Sequence, residues 1–208
     1  MDLFAATAHF ERVPIAGGEV LYLPHLDLAE PAEEILRKLI SVTPWRQENV
    51  VVWGKKYPQP RLIAWYGDAG RSYTYSRIEL SPLPWTALLL EIKRRVEKAT
   101  EAIFNSVLLN FYRDNRDSIG FHSDDEKELG PQPTIASLSL GEVRTLVFKP
   151  KTDKSVKDVH LNLDSGSLLL MKGQTQQNWK HGIAKEARRC GPRVNLTYRN
   201  IHYFSGSS

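Results

Sequence analysis

The sequence predicts a mainly β domain with flanking helices, an α+β arrangement whose strands form an antiparallel sandwich or barrel, of which the double-sheet jelly roll is one solution. Three observations predict it. From Asn105 onward the chain falls into short β-rich runs separated by Gly, Pro and Asp turns, at 106–113, 134–140, 144–149, 159–163, 167–171 and 194–203. Two stretches of helical period precede them. No internal repeat and no linker rich in Pro, Gly or Ser divides the 208 residues, so residues 1–208 read as a single domain with a substantial core.

The first helix is expected over 28–40, where Ile35, Leu36, Leu39 and Ile40 share a face and Asp27 is available as a cap. The second, over 84–99, aligns Leu88, Ile92, Val96 and Ala99 and places Pro84 at its start, where a missing N–H does no harm. Between them, residues 49–80 are aromatic and basic: Trp53, Lys55, Lys56, Tyr57, Trp65, Tyr66, Tyr73 and Tyr75 make the segment dense in groups that stack.

A hydrophobic fraction of 41% and an aromatic fraction of 10% are those of a folded protein and exclude a disordered or fibrous chain. No apolar run approaches the roughly 20 residues that span a bilayer. The opening Met-Asp-Leu-Phe-Ala-Ala also lacks the basic-then-apolar plan of a signal peptide. The expectation is a cytoplasmic protein, nuclear if the source is eukaryotic, with no membrane partner and a monomeric state. Cys190 is the only cysteine, which excludes a disulfide framework and a Cys-based zinc site; in Arg-Arg-Cys-Gly-Pro it reads as a small loop residue. The net charge of +4 favours a polyanionic partner.

The first chemical signal is Gly-Phe-His122-Ser-Asp124-Asp125-Glu126, because alternate side chains of extended backbone share a face and His122 and Asp124 then converge. His181, in Trp-Lys-His-Gly, can supply a third ligand. Two His and one carboxylate form the facial triad that leaves positions on a non-haem iron open. A His-x-Asp triplet also arises by chance, and His9, His25, His160 and His202 have no comparable setting. The run Pro-Arg193-Val-Asn-Leu-Thr-Tyr-Arg199 puts Arg193, Asn195, Thr197 and Arg199 on one strand face. Buried guanidinium is costly unless it meets a carboxylate, so both arginines should find one, from a neighbouring strand or from a ligand. Their Cα atoms stand roughly 20 Å apart at about 3.3 Å per residue, and long side chains could converge on a short diacid. On 108–112, Asn110 and Tyr112 alternate against Val107, Leu109 and Phe111, giving one apolar face and one suited to bonding a carboxylate.

Taken together, Asn110-Phe-Tyr112, His122-Ser-Asp124-Asp125-Glu126, His181 and Pro-Arg193-Val-Asn-Leu-Thr-Tyr-Arg199 resemble the signature of the AlkB family, and most resemble its eukaryotic-type DNA-repair members. The resemblance runs from about Leu21 and includes Val-Trp53-Gly-Lys, Tyr-Gly-Asp-Ala-Gly and Ser-Tyr73-Thr-Tyr75-Ser. It implies a double-stranded β-helix, the jelly roll, and Fe(II) and 2-oxoglutarate as cofactors with O2 as co-substrate. His122, Asp124 and His181 resemble the iron ligands; Arg193 resembles the partner of the distal carboxylate of 2-oxoglutarate, and Arg199, Asn110 and Tyr112 the rest of that clamp.

The implied reaction decarboxylates 2-oxoglutarate to succinate and hydroxylates an N-methyl group, which leaves as formaldehyde and restores the base. N1-methyladenine and N3-methylcytosine, the implied lesions, are cations, and Asp125 and Glu126 resemble residues that face them; a carboxylate in a dry pocket favours a cation over a neutral base. The segment 49–80 corresponds to nucleotide recognition. In it Tyr75 resembles the aromatic that stacks on a flipped base, Tyr73 a neighbouring hydrogen-bond group, and Trp53 the finger that fills the gap in a duplex, a position where the family usually carries Phe. Lys55, Lys56, Arg61, Lys185, Arg188 and Arg189 are candidates for phosphate contacts that position methylated duplex DNA without reading its sequence. The same scaffold could instead serve demethylation of RNA, hydroxylation of a protein or small molecule, or binding of nucleic acid without catalysis.

Overall fold

The computed structural model describes residues 9–52, 54–69, 73–75, 78–80 and 82–202, with backbone alone for 51, 52, 73–75 and 78–80. The antiparallel pair β1 (Glu11–Val13) and β2 (Glu19–Leu23) leads into helix α1 (Ala32–Val42). A hairpin of β3 (Asn49–Val52) and β4 (Lys55–Pro58) follows, then β5 (Leu62–Gly67), the small pair β6 (Tyr73–Tyr75) and β7 (Ile78–Leu80), and helix α2 (Ala87–Thr100). The remainder is β8 (Ser106–Tyr112), β9 (Ile119–His122), β10 (Ile135–Gly141), β11 (Arg144–Pro150), β12 (Val159–Leu163), β13 (Leu168–Lys172), the one-turn helix α3 (Thr175–Asn178), β14 (Trp179–Ile183) and β15 (Arg193–Arg199).

Two antiparallel sheets face each other: a major one in the order β1-β2-β13-β10-β15-β8-β5 and a minor one in the order β12-β11-β14-β9. The crossing order, with β15 returning between β10 and β8, is that of a jelly roll. Helices cover the far face of the major sheet. Ile35, Leu36 and Leu39 of α1 and Leu89, Ile92 and Val96 of α2 pack there on Val107, Leu109, Val194, Leu196 and Tyr198. The opposite face meets the minor sheet through Leu108, Tyr112, Leu146, Phe148, Leu163, Leu169 and Ile183. β8 and β15 are therefore buried on both sides, and the alternation in 107–112 separates a helix-facing set from a cavity-facing set. Trp65 and Tyr66, grouped by sequence with the stacking aromatics, belong to β5 and are core residues at 7% and 4% exposure.

Both helices begin later than their periodicity predicts. α1 starts at Ala32 because Pro31, at φ −53°, holds the N-cap position, and the residue before a proline is driven out of helical backbone. Asp27 instead accepts a bond from Arg95 Nη1 at 3.0 Å. α2 starts at Ala87, capped by the Thr86 hydroxyl, which accepts from Leu89 N at 3.2 Å. Pro84 lies outside it because Leu83 is tied in extended form to β5, donating to Trp65 O and accepting from Gly67 N. The last strand ends at Arg199, short of the predicted 203. No helix among the described residues is long and apolar enough to cross a membrane.

Truncating a side chain in the helix-facing core removes its transfer free energy and leaves a cavity. Ile92→Ala, at a site 1% exposed, is expected to cost about 2–5 kcal/mol, read as a lower urea midpoint with an unchanged m-value.

Candidate metal centre

The minor sheet assembles the cluster. β14 and β9 pair in a register that sets His181 directly opposite His122, with ring centroids 4.5 Å apart. Beyond His181 the register shifts around Gly182, where a Cβ would stand 3.0 Å from Ile119 O, so only glycine admits this approach of β9. Asp124 lies just past the end of β9. Its backbone N–H donates to Gln176 Oε1 at 3.0 Å and the Ser123 hydroxyl donates to Trp179 O at 2.8 Å, which holds the turn against α3 and β14. One ligand atom from each of His122, Asp124 and His181 then lies within 4.8 Å of the others, a spacing that fits a shared cation.

Their protonation suits ligation. Gly120 O can only accept, so its 2.9 Å bond to His122 Nδ1 puts a proton on Nδ1 and makes Nε2 the nitrogen that would face a metal. Burial, with His122 alongside, pushes His181 down to about 3 and keeps its imidazole neutral. Burial alone would raise Asp124, but the charge and hydrogen bond of Arg199 together with the neighbouring His181 and His122 outweigh it and hold the carboxyl at about 2. Asp124 Oδ2 and His181 Nδ1 are buried without a hydrogen-bond partner among the described residues. Two imidazoles and a carboxylate, with oxygen and nitrogen atoms left over, fit an iron that keeps open positions.

The same cavity, about 40 Å³, runs between the sheets and is lined by Asn110, Tyr112, Arg193 and Arg199 as well as the cluster. The four residues read as inward on 193–199 do point inward, and they divide. Arg199 Nη2 meets Asp124 Oδ1 at 2.7 Å, so its carboxylate comes from the protein. Asn195 and Thr197 satisfy each other and Ser137 at 2.8 and 2.7 Å. Arg193 is 1% exposed and donates to the Ser139 hydroxyl at 2.9 Å, with its Cζ 5.2 Å from the Tyr112 ring centroid. Its Nε and Nη1 have no hydrogen-bond partner among the described residues, and burial lowers it to about 10. A buried guanidinium in that condition fits a ligand carboxylate.

Asp125 and Glu126 separate. Asp125 Oδ2 accepts from Lys151 Nζ at 2.8 Å on an exposed rim, whereas Glu126 has one carboxylate oxygen buried without a partner among the described residues. Lys55 and Lys56 are exposed on the β3–β4 hairpin beside Gly54, at φ +74°, and Lys185, Arg188 and Arg189 are exposed in the loop that follows β14. The backbones of Tyr73 and Tyr75 pair with β7, and Trp53 lies outside the described residues.

Arg61 is a correction. It is 4% exposed, and its Nε donates to Asn110 Oδ1 at 2.8 Å, so it cannot reach a phosphate. Alternation along β5 puts it on the inner face with Ile63 and Trp65, and residue type alone does not show which face it takes. The sequence expectations also omit Ser137 and Ser139, although polar residues at alternate positions of an otherwise apolar run are a legible sign of a wet inner face.

Comparison with known proteins bears on this site. The model of the 2OG-Fe(II) oxygenase superfamily matches residues 19–199. The chain belongs to that superfamily. Within this oxygenase family it is similar to the AlkB homologues. It is 46% identical over 190 residues to the mouse alpha-ketoglutarate-dependent dioxygenase alkB homolog 3, covering 88% of this chain and 65% of that protein. It is 44% identical over 159 residues to the mouse DNA oxidative demethylase ALKBH2, covering 74% and 66%, and 32% identical over 210 residues to the Arabidopsis thaliana DNA oxidative demethylase ALKBH2, covering 89% and 67%. The chain thus spans about two thirds of the length of these curated relatives. The solved structure of OsALKBH1 shares the oxygenase fold at a TM-score of 0.65 and 16% identity, over 92% of this chain and 100% of that one.

Arg193→Met keeps most of the side-chain length and removes an uncompensated buried charge. Thermal unfolding without metal or ligand should show the variant at least as stable as wild type, by up to about 2 kcal/mol. Added 2-oxoglutarate should raise the wild-type midpoint and leave the variant's unmoved.

Proposed function

We propose that this chain is an Fe(II)- and 2-oxoglutarate-dependent dioxygenase that oxidatively demethylates nucleobases, with N1-methyladenine and N3-methylcytosine in duplex DNA as its substrates. The observation that carries the reading is Arg193, buried with Nε and Nη1 lacking a hydrogen-bond partner among the described residues, in the cavity that also holds His122, Asp124 and His181. A metal triad alone suits many reactions, but a triad beside a buried cation awaiting a carboxylate suits this co-substrate.

His122, Asp124 and His181 would hold the iron, which when bound with 2-oxoglutarate and O2 supplies the oxidation of a methyl C–H bond coupled to loss of CO2. Arg193 anchors the distal carboxylate of the diacid, with Ser139 fixing the guanidinium from behind and Asn110 and Tyr112 bounding the slot. Arg199 orients Asp124, keeping one carboxylate oxygen turned away and the other toward the cluster. The aliphatic walls, Leu108, Leu146, Leu163, Leu169 and Ile183, keep water from the reacting centre.

N1-methyladenine and N3-methylcytosine are cationic, and Asp125 and Glu126, which follow directly on Asp124, would favour them over a neutral base. The segment 49–80 would hold the extruded base, with Tyr75 stacking on it, Tyr73 bonding nearby and Trp53 filling the vacated duplex position. The exposed Lys55, Lys56, Lys185, Arg188 and Arg189 would meet phosphates. Duplex DNA as the substrate is supported by the finger resemblance and by relatives that carry the name DNA oxidative demethylase.

Incubating an N3-methylcytosine duplex with protein, iron(II), ascorbate and 2-oxoglutarate should remove one methylene unit by mass spectrometry, and His122→Ala should abolish the loss. Turnover should be higher on the duplex than on a single strand or RNA of the same sequence; equal or greater turnover on RNA would defeat the DNA assignment. Replacing Lys185, Arg188 and Arg189 together by Ala should flatten the slope of log K against log salt by about 0.9 for each phosphate no longer neutralised.

A further inference from the structure

Lys151 stands just beyond β11, its backbone N–H fixed by Asn178 O at 2.8 Å, and its side chain turns to Asp125. The ammonium is 2.8 Å from Asp125 Oδ2, with side-chain exposures of 20% for Lys151 and 58% for Asp125. An ion pair this open to solvent adds little to the stability of a fold. Its position is more consequential: Asp125 directly follows Asp124 of the metal cluster, and Lys151 extends β11, which pairs with the strand that carries His181. The pair thus stands beside the metal cluster, next in the chain to a residue that lines the cavity.

We propose that Lys151 is a specificity-determining residue, an internal competitor for Asp125 that sets how strongly the site prefers a cationic base over a neutral one. The inference rests on the function proposed above. With Lys151 in place, Asp125 and the ammonium are together neutral, so an incoming cation gains attraction from one and meets repulsion from the other. Glu126, with one carboxylate oxygen buried and without a partner among the described residues, then supplies the remaining attraction. Without the ammonium, Asp125 presents its whole charge. A neutral base gains nothing from the change. The pairing therefore broadens the range of bases accepted by holding charge discrimination below what two carboxylates would impose.

The test uses the full chain, free of metal, and labelled oligonucleotides with N3-methylcytosine, a cation, or N3-methylthymine, a neutral base, at one position. Equilibrium binding by anisotropy gives the ratio of Kd for the neutral base to Kd for the cation. Lys151→Met is expected to raise that ratio roughly ten-fold, equivalent to about 1.4 kcal/mol, and Lys151→Arg, which keeps the charge, to leave it near wild type. Adding Asp125→Asn to Lys151→Met removes both charges and should bring the ratio back to near wild type, an outcome a merely structural role would not produce.

A ratio that stays constant or falls in Lys151→Met, or a rise that the added Asp125→Asn does not bring back toward wild type, overturns the proposal, as does the absence of any cation preference in Lys151→Met. Formaldehyde release by the iron- and 2-oxoglutarate-loaded wild type is measured in parallel on both oligonucleotides. Failure there with the binding ratios as expected would remove the demethylase reading and leave the electrostatic competition standing.

Discussion

An arginine buried without an anion is among the more costly things a small protein can contain, and β15 carries two arginines on one inner face. They are resolved differently: Arg199 is neutralised by Asp124 at 2.7 Å, and Arg193 meets a hydroxyl and an aromatic ring but no carboxylate among the described residues. The imidazoles aside, the formal charges of Asp124, Arg199 and Arg193 sum to one net positive charge in the cavity. A dication entering alone worsens that balance, and a dianion entering alone reverses it. Each therefore lowers the electrostatic cost of the other, and by linkage the benefit is reciprocal.

The framework that holds this arrangement is close-packed where the two charged ends lie. Gly141 pairs with Arg193 across β10 and β15 and adopts φ +96°; a Cβ there would fall 2.3 Å from Pro192 O and 3.2 Å from the Arg193 Cα. Gly182 does the corresponding service in the minor sheet, where any side chain would push β9, and His122 with it, away from His181. Between these points the inner residues of β10 are serines that take up the hydrogen bonds of Arg193 and Asn195. An apolar residue at Ser139 would strip Arg193 of that side-chain bond.

Much of the centre is legible in the sequence because its residues obey strand periodicity. His122 and Asp124, the row 193–199, and the pair Asn110 and Tyr112 all fall on the cavity side, and period 2 alone predicts this. What is not legible depends on tertiary choice. Whether an inward arginine finds a protein or a ligand carboxylate is decided by which strand lies opposite, so the different fates of Arg193 and Arg199 need the sheet order. Arg61 looks like one more surface cation of a basic segment until β5 takes its place beside β8. The helix starts depart from their apolar stripes because Pro31 and the extended tie at Leu83 override periodicity.

The loop from 184 to 192 connects the third member of the cluster, on β14, to the guanidinium of the clamp, on β15. Both of its ends are therefore set by the site, and its middle is held as well. Buried Arg144 donates to Ala184 O and lies 3.4 Å from Glu186, and Asn115 exchanges two bonds with the Glu186 backbone at 2.8 and 3.0 Å. Lys185, Arg188 and Arg189 are exposed on a segment whose anchors do not move independently of the chemistry. If these cations meet phosphates, the strand they bind is registered against the metal centre by covalent continuity and hydrogen bonds. Attraction of a polyanion and placement of one base then become the same event.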